Sequence, residues 1–148
     1  MTLDLDKLLD DAIARSADEP KTELAQVYVG DELLTLRVTE LDGDSWAACT
    51  IAHTPRKGVA LDQAFSYNLT AASKDALPLS AVVVDGDDEQ NLSAEQWSKL
   101  WRATDPQGRQ SITDAVFAVN EHAQLARLDA ARKGIEAASR LKRRSPVS

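Results

Sequence analysis

The stretch LAQVYVGDELLTLRV constrains this chain more than any other. Two runs rich in β-forming residues flank Gly30-Asp31, and a glycine first in a two-residue loop marks a tight hairpin. The pattern predicts a β-hairpin near residues 25–39. No further strand is obvious nearby, so most of the remaining chain is expected to be helical.

Ahead of the hairpin, LDLDKLLDDAIARS places Leu5, Leu8, Leu9, Ala12 and Ile13 on one stripe with acids opposite, the pattern of an amphipathic helix. Pro20 follows, so that helix should end near Ser16. After the hairpin, DGDSWAACTIAH offers Asp44 or Ser45 as an N-cap and Trp46, Ala47 and Ile51 at helical spacing. TPRKGVALDQAFSYN reads as a loop running toward a short helix. Signals conflict over 69–84: LTAASKDAL favours helix, Pro78 interrupts or restarts it, and AVVV suits a buried strand or a buried helical turn. Helix is the expectation there. DGDDEQN reads as a solvated acidic loop, without the spacing and final glutamate of a calcium-binding EF-hand loop.

LSAEQWSKLW carries two of the three tryptophans. Ser93 and Gln96 form a capping-box pattern that starts a helix at Ala94 and sets Trp97, Leu100 and Trp101 toward one side. DPQG at 105–108 reads as a type I turn that stops this helix. Ser111 and Asp114 repeat the capping signal for a last helix, with Ile112, Val116, Val119 and Ala123 on its inner side. Beyond it, LARLDAARKGIEAASRLKRR stays helix-forming to about Arg144, but its inner stripe thins to alanines and a few leucines. A helical segment with so little to bury is marginal alone; it should project, fray or dock on something else.

The expected fold is therefore mainly α with a small β-hairpin (α+β). A compact helical domain spans residues 1–125, and a basic, alanine-rich helical tail spans 126–148. The paired tryptophans either pin the core or hold a partner. In the intermediate reading Trp97 is core and Trp101, beside Arg102, stands partly exposed. The candidate partner-binding residues are Trp97, Leu100, Trp101, Leu125 and Leu128.

Charge sharpens this picture. The net charge is -7, yet residues 1–44 hold twelve acids against four bases, while residues 126–148 hold seven bases against two acids. Such a dipolar chain can pair with copies of itself or fold its tail onto its own acidic half. An overall pI of about 4.8 argues against nucleic acid as a partner, despite the basic RLKRR. The longest apolar runs fall far short of the roughly 20 residues a membrane span needs, and the acidic N-terminus is unlike a signal peptide. A cytoplasmic protein is expected, and the single Cys49 fits a reducing compartment.

Groups for catalysis are few. His53 and His122 are the only histidines, and neither sits in a metal-ligand spacing beyond the four-residue separation of Cys49 and His53. No phosphate-binding glycine loop or nucleophile elbow is present. No enzyme activity, cofactor or metal is expected.

The order of landmarks resembles the tail assembly chaperones of long-tailed (siphovirus-type) bacteriophages, especially those infecting actinobacteria. The landmarks are His53, Pro55 and Arg56 in AHTPR, then Tyr67-Asn68 in SYN, Gln96-Trp97 in the capped helix, and Val119-Asn120 in the last helix. With the hairpin segment LTLRVTEL ahead of them, the match covers roughly residues 34–122, and the order of the landmarks carries more weight than any one of them. Ser66 departs from the pattern, standing where a glycine often precedes the Tyr-Asn pair, and 69–84 has few large apolar residues.

The resemblance implies a non-structural assembly factor. It would bind the tape measure protein in the host cell cytoplasm, keep it soluble, and be displaced as tail tube protein polymerises. It would be absent from the mature virion. A homo-oligomer and a longer form made by ribosomal frameshifting are also implied. The alternative is a structural virion protein, such as a head-tail connector or tail completion protein.

Overall fold

A computed structural model describes residues 3–18 and 20–144. Helix α1 (Leu5–Asp18) precedes the hairpin of β1 (Thr22–Val29) and β2 (Glu32–Thr39). Val29 pairs with Glu32, so Gly30-Asp31 is the two-residue loop. Gly30 has φ 63° while Asp31 keeps a negative φ, as a type II′ turn requires. Alternation along the strands buries Ala25, Val27, Leu36 and Val38 on one face.

Three helices follow: α2 (Gly43–Ile51), α3 (Ala60–Phe65) and α4 (Leu69–Ser80). The α2 N-cap is Asp42, whose carboxylate accepts from Ser45 N at 3.2 Å, slightly earlier than Asp44 or Ser45. Pro78 neither interrupts nor restarts α4 but lies inside its last turn, and the helix runs on to Ser80. There the expectation of continuing helix fails. AVVV belongs to β3 (Ala81–Asp85), which pairs antiparallel with β2 through Val83 opposite Leu36.

The acidic DGDDEQN is likewise not a free loop. It turns at Gly86-Asp87 into β4 (Asp88–Gln90), with Asp85 opposite Asp88 and Gly86 at φ 62°. The sheet is thus four-stranded and antiparallel, in the order β1-β2-β3-β4, with α2 to α4 inserted between its second and third strands.

Helix α5 (Ala94–Ala103) starts at the expected capping box. Ser93 Oγ accepts from Gln96 N at 3.2 Å, and Gln96 Oε1 accepts from Ser93 N at 2.8 Å. DPQG does not form a separate turn. Asp105 caps α6 (Pro106–Phe117) by accepting from Gly108 N at 2.7 Å, and Pro106 takes the first helical position, where its missing N–H costs nothing. This helix starts before Ser111, which lies inside it. Gly108 faces Thr104 and Val27, and a Cβ there would overlap Thr104 Cγ2, so α6 and β1 approach closely.

A π-helical turn (Ala118–His122) joins α6 to α7 (Ala123–Arg144). The architecture is mainly helical α+β with a small antiparallel sheet and a long C-terminal helix. Helices α4 and α6 lie on the sheet, and α5 packs against α4. Trp97, Leu36, Leu77, Ile112, Val27, Val38 and Val116 form the fully buried centre.

Candidate partner-binding surfaces

The landmark residues of the sequence hold the fold together. His53 Nε2 lies 2.5 Å from Asp75 Oδ2. Arg56 holds Asp62 with three donors: its main-chain N at 3.0 Å, Nε at 2.8 Å and Nη2 at 3.1 Å. Asp62 is 0% exposed, and the Arg56 side-chain bonds keep its carboxyl below the usual range despite burial. Asn68 caps α4 by accepting from Ala71 N at 3.1 Å.

A second cluster pins the base of α7. Glu121, in the π turn, accepts from Trp46 Nε1 at 2.7 Å and from the Tyr67 hydroxyl at 3.2 Å. Burial, reinforced by the Glu121 charge, pushes the Tyr67 phenol well above its ordinary value. Asn120 accepts from Leu41 N at 2.9 Å and donates to the Val116 carbonyl at 3.0 Å. Trp46 and Tyr67 meet edge to face with ring centroids 6.1 Å apart. The π turn is thereby bonded to the β2–α2 link, to α2 and to the α3–α4 link.

Burial and then the nearby Asp75 push the Cys49 thiol up, which holds it in the unreactive protonated form. Among the described residues, no three histidine, cysteine or carboxylate side chains are grouped to hold a metal ion.

The tryptophans correct an expectation. Trp97 is 2% exposed and Trp101 6% exposed, with Leu100 buried between them. Trp101 is not partly free: the Arg109 guanidinium lies 5.4 Å from its ring centroid, and Arg109 Nε donates to the Trp101 carbonyl at 3.1 Å. Because α6 begins at Pro106, Arg109 falls on its first turns and closes over the indole. These three side chains belong to the core.

Leu125 and Leu128 have the opposite environment. They are 47% and 63% exposed and line a shallow groove on α7 with His122, Asp129 and Arg132. Ile135 continues this stripe and is also exposed. Three positions separate Leu125 from Leu128 and seven separate Leu128 from Ile135, so the three share one helix face.

Two further apolar surfaces stand open, the first of them the α1 stripe already read from the sequence. On α1, Leu5, Leu8, Leu9 and Ile13 are all exposed. Leu9, Ala12 and Ile13 overhang a largely apolar groove of about 620 Å³ that is floored by Pro20, Leu41 and Gly43. On the sheet face away from α4 and α6, Leu24, Tyr28 and Leu33 are exposed, with Tyr28 directly opposite Leu33. The hairpin did carry that signal: its strands place apolar residues on both faces, the habit of strands covered on both sides.

Among the described residues no helix is long and apolar enough to cross a membrane. The chain matches no protein-family model, no curated protein and no solved structure.

Proposed function

We propose that this protein is a tail assembly chaperone of a long-tailed bacteriophage, binding the tape measure protein and keeping it soluble until tail tube protein displaces it. The observation carrying this reading is the uncovered apolar stripe on each terminal helix, Leu5, Leu8, Leu9 and Ile13 on α1 and Leu125, Leu128 and Ile135 on α7. The domain between them closes its own core. A folded domain with two amphipathic helices to spare is equipped to cover a client's apolar helices, since helix recognition works through anchors at this spacing. Its net charge of -7 favours solubility of the joint complex.

The resemblance of its landmarks to the chaperone family supports the same reading. Those landmarks are fold-holding bonds here, so they speak for a shared scaffold, and the client surface is carried by the helices outside it. The site is assigned to Leu125 and Leu128, with α1 as a second contact.

Co-expression with the tape measure gene of the same genome tests the proposal. A soluble tape measure protein that co-purifies with this chain is the expected result. Recovery of the tape measure protein only in the pellet, with this chain present in purified virions, would overturn the chaperone reading in favour of a structural virion protein.

A further inference from the structure

We propose that β1 takes up an extended, basic segment of a partner protein as an added antiparallel strand of the sheet. The site lies apart from the apolar stripes of α1 and α7, and the inference does not depend on the chaperone reading.

The register leaves the outer side of β1 open. Antiparallel partners alternate between pairs that exchange both main-chain bonds and pairs that exchange none. Val29 and Glu32 close the two-residue turn, and beyond the other end of the strand Glu40 N donates to the Lys21 carbonyl at 2.8 Å. The odd-numbered residues of β1 therefore bond to β2, and Thr22, Leu24, Gln26 and Tyr28 turn their N–H and C=O groups outward. Among the described residues no strand lies on that side, and the bridge from Val29 to Thr104 closes only the turn end.

The two edges of the sheet are built differently. At the far edge β4 has three residues, of which Asp88 and Glu89 are acids; shortness and charge are common protections against unwanted pairing. Strand β1 has eight residues in unbroken register, with no proline, lysine or bulge. Such an edge is a template for another strand.

A groove of about 530 Å³ beside that edge sets the chemistry of the occupant. Glu23 and Leu24 form its strand side, and Gln107, Gln110, Ser111 and Asp114 of α6 lie along its helix side. Gln110 Nε2 donates to Asp114 Oδ1 at 2.7 Å, which holds that carboxylate in place. No base lines the groove. From Gln107 to Ala118 the helix side runs roughly 17 Å, the length of about five residues of extended chain. Side chains of an added strand point alternately to the two faces of the sheet. Those on the α6 side enter the groove, where Glu23 and Asp114 suit lysine or arginine. Those on the other side lie beside Leu24 and Tyr28, which are exposed, and are best apolar.

Amide hydrogen exchange of the full chain, followed by NMR as a peptide of four Lys-Val repeats is added, tests this. Exchange at Leu24 and Gln26 is expected to slow, because their N–H groups gain acceptors. Methylating the valine nitrogens of the peptide, which face β1 in antiparallel pairing, should abolish the protection, whereas methylating the lysine nitrogens should leave it. Gln26→Pro removes one outward N–H and keeps the bonds to β2, and Glu23→Lys with Asp114→Lys reverses the groove. The changed side chains are exposed, and circular dichroism verifies folding. Each variant should bind the peptide roughly tenfold more weakly or worse. If Gln26→Pro does not fold, the methylated peptides decide the matter on the native chain. Binding that survives methylation of the valines is charge attraction alone and overturns the proposal, as does unchanged exchange at every accessible peptide concentration. Exchange at the same amides that slows without peptide, as the chain is concentrated, would give the edge to a second copy instead.

Discussion

Trp46 Nε1 donates to Glu121 Oε1 across 2.7 Å, joining α2 to the π turn at the root of α7. The two residues are 75 positions apart in the chain, and the same oxygen accepts from Tyr67. One carboxylate therefore ties three segments together where α6 gives way to the long helix. Replacing it with alanine strands two donors that are mostly shielded from water. Glu121→Ala should cost about 2–3 kcal/mol, and Glu121→Gln, which keeps an acceptor, clearly less. Urea denaturation of the two variants measures the difference.

Alkaline pH should weaken the same junction. Burial first, and then the Glu121 charge, raises the Tyr67 phenol above its ordinary value of 10.0. The folded chain therefore keeps its proton when the unfolded chain has lost it. Stability is unaffected below pH 10 and falls above it, by up to about 1.4 kcal/mol per pH unit. Tyr67→Phe should be less stable near neutrality by about 1 kcal/mol for the lost hydrogen bond, yet show a shallower decline above pH 10. Denaturation series for both proteins between pH 8 and 11 would settle it; parallel slopes would refute the assignment.

Ser66 has φ 66° and ψ 20° at the C-cap of α3, a left-handed conformation that favours glycine. Ser66→Gly should raise stability by about 1 kcal/mol, visible as a higher melting temperature. No change, or a decrease, would show that the serine side chain compensates for its strain.

Arg56 and Asp62 form the most deeply set ion pair, with the carboxylate fully buried. Arg56→Met removes the guanidinium and leaves the Arg56 main-chain N–H as the remaining donor, for a loss of about 3 kcal/mol. Bonding to Arg56 lowers the Asp62 pKa below its model-peptide value of 3.8. Its contribution to stability is therefore complete above that value and is lost as pH falls through the lower folded-state value. Acid unfolding midpoints should lie at higher pH in the variant than in the native chain.

What the sequence disclosed, and what it hid, divides along contact range. The first hairpin and the Ser93 capping box are set by residues two to three apart, and both form where the local pattern places them. Strand β3 depends on β2, which lies far back in the chain, so AVVV had no neighbouring partner to declare it. The Gly86-Asp87 dipeptide repeats the Gly30-Asp31 turn, and it was the available clue to the second hairpin; its acidic surroundings masked it. The burial of Trp101 was hidden because α6 starts a few residues ahead of the Ser111 capping signal. Once Asp105 and Pro106 start α6, Arg109 is delivered over the indole. The exposure of Leu125 and Leu128 was readable because the helix beyond them has so little to bury.

That burial places Trp101 in the core. Trp101→Ala and Trp97→Ala should each cost about 3–5 kcal/mol as large cavities in a closed core. Client binding by either should fall only as far as the folded fraction falls. Binding lost by a variant that remains folded would return Trp101 to the interface.

The converse test falls on α7. Leu125 and Leu128 are half to two-thirds exposed, so Leu125→Lys with Leu128→Lys removes little buried area and should leave the melting temperature within about 2 °C of the native chain. Two ammonium groups in the middle of an apolar stripe should nevertheless abolish docking of an apolar helix, because burying either charge unpaired costs far more than the contact returns. Co-expressed tape measure protein should then shift from the soluble fraction to the pellet while this chain stays soluble. If the double variant keeps its client in solution, the docking surface is not the α7 stripe, and the α1 groove and the open sheet face become the places to look.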